Sequence, residues 1–264
     1  MCLLTDYGLS DEFAGVLHRV ITRLAPAARV IDVTHQIPAH DVRAGALTLW
    51  RAAPYLVPAV ILAVVDPGVA TDRRAVALAA GPVAVLVGPD NGLLLPAARA
   101  LGGIQAAVAL TNPAYHLAVH PGTGGTFAGR DVFAPVAAHL AAGAALNQVG
   151  TPLDPAELVG DPLHLAGRSG DQVEAEVLWV DHFGNAQLNV TASEIAPFGP
   201  HIDVDLGGPR PTPATVADAY GLLPPGAVGL VPDSVGLLAL CMDQRSAAVA
   251  LGLRAGAPVT LRPG

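Results

Sequence analysis

Polar residues gather where apolar runs end. Thr5-Asp6-Tyr7-Gly8 follows a run closing at Leu4, Asp66-Pro67-Gly68 follows Val60–Val65, and Pro89-Asp90-Asn91-Gly92 follows Ala84–Val87. Loops at the carboxyl ends of parallel strands are where open α/β sheets bind ligands. Asp-Pro-Gly and Pro-Asp-Asn-Gly are also good turn sequences whatever they bind, so those two read equally as turns. Asp6 differs: a carboxylate directly after a buried strand has no local turn role, and it reads as a site residue. In the second half, Val180-Asp181-His182-Phe183-Gly184-Asn185 sets a carboxylate, a ring and an amide within five residues. Alone, that segment fits a turn as well as a site. With Asp6 it supplies what a nucleoside amino acid requires: a carboxylate to accept ribose hydroxyls, a ring to stack on a base and an amide to read its edge.

Other motifs are weaker. Pro121–Asp131 (PGTGGTFAGRD) is glycine-rich but lacks the Gly-Lys-Ser/Thr ending of a nucleoside-triphosphate loop. His35, in Asp32-Val33-Thr34-His35, has no second His or Cys at ligand spacing and reads as a hydrogen-bonded structural histidine. No HExxH motif occurs and no metal is expected. Ser/His/Asp catalysis lacks a nucleophile elbow.

The elements that must position these residues alternate in the first half. After a strand ending at Leu3–Leu4, Ser10 or Asp11 is expected to cap a helix carrying Phe13, Val16, Leu17, Val20, Ile21 and Leu24 on one face. Val30–Val33 reads as a strand, and a helix is expected from near Asp41 to before Pro54. Val60–Val65, Val76–Ala79 and Ala84–Val87 are uniformly apolar, as in parallel sheets covered on both faces. Val132–Leu140 reads as a helix with Pro135 in its first turn. The Pro-, Gly- and charge-rich stretch Thr151–Asp171 reads as an inter-domain linker. Beyond it, Ala175–Val180, Ile202–Leu206, Val228–Val231, Leu237–Leu240 and Val259–Leu261 read as short strands. The expected architecture is an α/β N-terminal domain (1–160) with a mostly parallel sheet and a smaller, mainly β C-terminal domain (161–264).

Composition narrows the function. The 264 residues are 52% hydrophobic and 14% charged, as in a globular chain with a real core. No apolar run reaches a bilayer's thickness, and the beginning MCLLTDYGLSDEF lacks a basic signal region. Cys2 and Cys241 form no CxxC pair, so a reducing cytoplasm is expected. Net charge is −8 with basic residues scattered, which argues against nucleic acid and against a membrane surface as partners.

Eight stretches carry a resemblance: LLTDYGLSDEFAGVLHRVI, VIDVTHQIPAHDVRAGA, VVDPGVATDRRAVAL, VGPDNGLL, TFAGRDVFAPVAAHLAAG, VDHFGNAQLN, TPATVADAYG and PDSVGLLAL. In this order, from residue 3 to residue 240, they resemble the S-adenosyl-L-methionine hydroxide adenosyltransferases, relatives of fluorinase and chlorinase enzymes. The resemblance implies a homotrimer whose ligand lies between the N-terminal domain of one subunit and the C-terminal domain of the next. By similarity, Asp6 accepts the ribose diol, Asp181 and Ser234 hold the ammonium and carboxylate of the methionine part, and Phe183 and Asn185 contact adenine. Asp66 and Arg73 match two members of an Asp–Arg–His set ascribed to water activation, and the halogenases carry Tyr where Asp66 stands.

The third member is missing. The family pattern TFHGRD is TFAGRD here, with Ala128 in the histidine's place. A methyl group cannot accept a proton from water. The fluorinase's long insertion before its Asn-Gly-Leu-Leu motif is also absent. The resemblance therefore implies hydrolysis of S-adenosyl-L-methionine at ribose C5′ to adenosine and L-methionine, with no cofactor. A weak or inactive ligand-binding protein is the alternative, and a halogenase is disfavoured by Asp66.

Overall fold

The structure, a computed structural model, describes residues 1–118, 124–163 and 166–264, without the side chains of residues 168 and 169. Residues 121–123 of the glycine-rich segment and 164–165 of the expected linker lie outside the described residues. The chain divides into two compact units, Met1–Leu163 and His164–Gly264.

The first unit is built on strands β1 (Cys2–Thr5), β2 (Ile31–Thr34), β3 (Ala59–Val64), β4 (Ala75–Ala80), β5 (Ala84–Pro89), β6 (Ile104–Ala109) and β7 (Thr151–Leu153). They form one sheet in the order β2-β1-β3-β5-β4-β6-β7. Successive residues of a strand point to opposite faces, and each face has its own cover. Leu4, Ile61, Ala63 and Leu86 pack against α2 (Val42–Leu56) and α3 (Leu95–Ala100), while Leu3, Leu62, Val64 and Val87 pack against α1 (Phe13–Leu24) and α4 (Ala134–Ala141). Strands buried on both sides explain the uniformly apolar runs.

The sheet is mixed, which corrects the expectation of a mostly parallel one. β2, β1, β3 and β5 run parallel, whereas β4 is antiparallel to β5 and β6, and β6 to β7. The reason is connection length. Only Gly81, Pro82 and Val83 separate β4 from β5, with Gly81 at φ +54°, and a parallel crossover needs a dozen or more residues. Burial alone could not distinguish the two directions.

Two helix boundaries also differ from expectation. The position before α1 is Glu12, with no side-chain cap, so neither Ser10 nor Asp11 caps it. Asp41 caps α2 as expected, accepting the Ala44 N–H at 2.8 Å, but the helix continues through Pro54 to Leu56. The stretch read as a linker begins as β7, paired to β6, and Arg74 joins its Glu157 to the buried Asp90.

The second unit contains β8 (Gly167–Ser169), β9 (Gln172–Val180), β10 (Ala186–Thr191), β11 (His201–Asp205), β12 (Thr212–Val216), β13 (Val228–Pro232), β14 (Leu237–Cys241) and β15 (Pro258–Pro263). β9 pairs with both β15 and β10, which closes seven strands into a barrel, and β8 adds to β9. One core of Val177, Leu188, Val190, Ile202, Val204, Leu230, Leu240 and Leu261 fills it.

Candidate active site

The first unit places its site by topology. The chain passes from β1 outward to β2, then returns across β1 to β3, so β1 and β3 are neighbours whose connections leave in opposite directions. Such a switch point leaves a crevice at the carboxyl ends of the two strands. Thr5 and Val64 are paired there, and Asp6 and Asp66 come immediately beyond. Both line a cavity of about 250 Å³ with Tyr7, Phe13, His40, Phe127 and Ala128.

The carboxylates are held differently. Asp6 accepts the backbone N–H of His40 at 2.9 Å. Asp66 is held by the Arg73 guanidinium, which donates from Nε to Oδ1 at 2.9 Å and from its terminal nitrogen to Oδ2. This fork fixes the carboxylate's plane as well as its distance. Arg73 itself lies over the Phe133 ring, 5.2 Å from its centroid. Burial pushes the Asp66 carboxyl above its ordinary pKa; Arg73 opposes this and the negative charge of Asp6 adds to it. Arg73 thus limits the cost of burying the charge without cancelling it.

An aromatic wall closes one side. Tyr7, Phe13 and Phe127 have ring centroids 4.9–5.7 Å apart in tilted and edge-to-face arrangements. Burial, then the charges of Asp6 and Asp66, raise the Tyr7 hydroxyl far above its usual pKa and keep it neutral. Gly129 is required here, because a Cβ would collide with the Tyr7 hydroxyl. Ala128 precedes the single π-turn Gly129–Phe133, where Arg130 forks onto buried Asp131 at 2.7 and 3.0 Å and lies over the Phe127 ring. The position lacking histidine therefore faces the same cavity as Asp66. Tyr7, Phe13, His40 and Phe127 were not singled out from sequence; apolar and aromatic residues beside a loop look like core until the sheet order is known.

In the second unit, Phe183 and Asn185 line a cavity of about 510 Å³ with Tyr220, Met242, Asp243, Gln244, Arg245 and Ser246. Phe183 is 76% exposed. Asp181 lies behind this cavity in a closed turn: Oδ1 accepts the N–H groups of Phe183 and Asn185 at 2.9 and 2.8 Å, and Oδ2 accepts the Asn185 side-chain amide at 2.8 Å. Gly184, at φ +87°, presses on Ser246 so closely that a Cβ would clash. Ser234 is exposed in the turn between β13 and β14, organised by Asp233, whose Oδ1 accepts from Val235 and Leu237. The PDNG segment serves as a turn and tether: Asp90 is bound by Arg74 and the Val159 N–H.

A switch-point crevice holding two carboxylates in one unit and a closed barrel in the other define the class of fold. Two family models match: the SAM hydroxide adenosyltransferase N-terminal domain over residues 1–150 and the C-terminal domain over 175–260. The chain belongs to the SAM hydroxide adenosyltransferase family. It is 49% identical over 252 residues to an (R)-S-adenosyl-L-methionine hydrolase of Salinispora tropica, covering 96% of this chain and 93% of that one. A fluorinase of an Actinoplanes species is 25% identical, over 99% and 96% of the two chains. A crystal structure of an uncharacterized conserved protein from Thermotoga maritima superposes with a TM-score of 0.89 at 32% identity, covering 99% of each chain.

Proposed function

We propose that the chain hydrolyses S-adenosyl-L-methionine at ribose C5′, giving adenosine and L-methionine. Water forms the new C5′–O bond as the C5′–S bond breaks. Sulfur takes the bonding pair and leaves as a neutral thioether, and the water's proton passes to solvent. A sulfonium leaves without protonation, so no general acid and no cofactor is required. What the enzyme must do is align one water opposite sulfur and exclude the rest. In this reading Asp66, oriented by Arg73, positions that water, and Asp6 accepts the ribose hydroxyls. Phe183 and Asn185 take adenine and Ser234 takes the amino-acid end, while Asp181 holds the turn that presents Phe183 and Asn185. The two sets of groups belong to different units, and a homotrimer would let one subunit complete its neighbour's site.

The observation that carries the reading is the Asp66–Arg73 fork facing the same cavity as Asp6. A carboxylate there favours water over a halide anion, which it would repel. The hydrolase names of the relatives support the same reaction. Purified protein incubated with S-adenosyl-L-methionine should release adenosine on chromatography, and added chloride should give no 5′-chloro-5′-deoxyadenosine. Absence of adenosine under conditions where the ligand binds would refute hydrolysis.

Ala128 in the cavity wall favours one second reading, a protein that binds the ligand and turns over weakly. Ala128→His tests it. If the missing acceptor limits turnover, the variant should gain about 10²–10⁴-fold in rate. Wild-type turnover matching a folded Ala128→His variant would remove this reading.

A further inference from the structure

On the other side of β1, three metal-ligating side chains converge away from the cavity. His18 comes from α1, Asp32 from the edge strand β2, and His35 from the residue after it. His18 Nε2 lies 2.8 Å and His35 Nε2 3.1 Å from Asp32 Oδ1, and the three donor atoms all fall within 4.8 Å of one another. None of the three lines the Asp6–Asp66 cavity.

The state of His35 points to a ligand. Its residue is 4% exposed, yet Nε2 makes no hydrogen bond of acceptable geometry. Its other nitrogen, Nδ1, meets the buried Thr5 Oγ1 at 2.9 Å. In the tautomer that can ligate, Nδ1–H donates to Thr5 and the Nε2 lone pair faces the Asp32 carboxylate, an arrangement that a cation between the two would satisfy. A ring nitrogen tethered by hydrogen bonding while the other faces the ion is how metal-binding histidines are oriented.

We propose that His18, Asp32 and His35 form a binding site for a divalent transition cation of the zinc class. Two imidazoles and one carboxylate are borderline ligands that suit Zn²⁺, Co²⁺ or Ni²⁺ and leave one or more positions for water. Metal–ligand bonds of about 2.0–2.2 Å put tetrahedral donors about 3.3 Å apart, near the two His–Asp separations of 2.8 and 3.1 Å. His18 and Asp32, with side chains 36% and 45% exposed, have room to adjust around the rigid His35. The ion would clip α1 to β2 behind the Asp6 turn, where the His35 carbonyl accepts the Gly8 N–H at 2.7 Å.

The test uses the untagged full chain, freed of metal by chelator and titrated with Co²⁺ alone, then Zn²⁺ in competition. One equivalent of Co²⁺ should bind with a visible d–d band, displaced by Zn²⁺, and thermal unfolding should shift upward. His18→Ala, at a partly exposed position, should weaken binding more than about 100-fold, and Thr5→Val, which removes the His35 tether together with the acceptor of the Tyr7 N–H, about 10–100-fold. No binding at millimolar Co²⁺, or unchanged binding in a folded His18→Ala or Asp32→Asn variant, would overturn the proposal. So would one-equivalent binding that Thr5→Val leaves untouched.

Discussion

The turns after β3 and β9 each carry an aspartate within their first two residues, and they use it differently. Asp66 gives its carboxylate chiefly to the Arg73 side chain, seven residues on, and faces a cavity. Asp181 gives both oxygens to its own turn, closing Phe183 and Asn185 into position. The first arrangement leaves a charged group oriented and available; the second makes the charge part of the scaffold. Under the proposed function the two aspartates thus contribute on different levels, one to chemistry and one to the geometry that presents a ring and an amide.

Substitutions separate the two. The largest effect is expected at Asp66→Asn, which keeps the shape and removes the charge. Turnover should fall about 10²–10⁴-fold, more than the stability lost in urea melts by leaving the buried Arg73 guanidinium without its charged partner accounts for. The same carboxylate should set an acidic limb in kcat/KM. Its ionised form is the working one and its pKa is raised, so activity should be lost as pH falls through a value above the ordinary carboxylate range of about 4, and the limb should vanish in Asp66→Asn. A limb at an ordinary carboxylate pKa would mean that another group limits the rate.

Asp6→Ala comes next. It removes a half-buried carboxylate of the same cavity, and losing a charge-assisted hydrogen bond costs about 1.5–3 kcal/mol, or about 10–150-fold in ligand affinity by calorimetry. The smallest effect on chemistry should come from Asp181→Ala. Three donors would lose their acceptor at once, and stability should fall by about 1–3 kcal/mol in urea melts. Weakened binding should accompany that loss as the Phe183 turn loosens. An Asp181→Ala variant of full stability that has lost binding would make Asp181 a direct ligand contact and erase the contrast with Asp66.

Much of this was legible in the sequence, for reasons that can be named. Asp6 stood out because nothing local explained it, and Asp66 with Arg73 followed from the resemblance. The apolar runs of β3, β4 and β5 marked buried strands but were silent on direction, since burial on both faces is the same in either sense; the three residues before β5 held that information. β10 and β12 were not read as strands: Ala-Gln-Leu-Asn-Val-Thr and Thr-Pro-Ala-Thr-Val alternate weakly and gain their pairing from barrel closure. His18 and His35 are 17 positions apart in the chain and meet only because α1 folds back beside β2, a proximity that ligand-spacing rules cannot find. The aromatic wall was hidden for the same tertiary reason.

Water positioned by Asp66 is, in this mechanism, the nucleophile at C5′, and everything else in the site serves that step. The direct test is reaction with S-adenosyl-L-methionine in water enriched in oxygen-18, with mass analysis of the products. One heavy oxygen should appear on the 5′-hydroxyl of adenosine with wild type, and its appearance should be suppressed in Asp66→Asn. Unlabelled adenosine, or label appearing at the same rate without the Asp66 carboxylate, would contradict the mechanism.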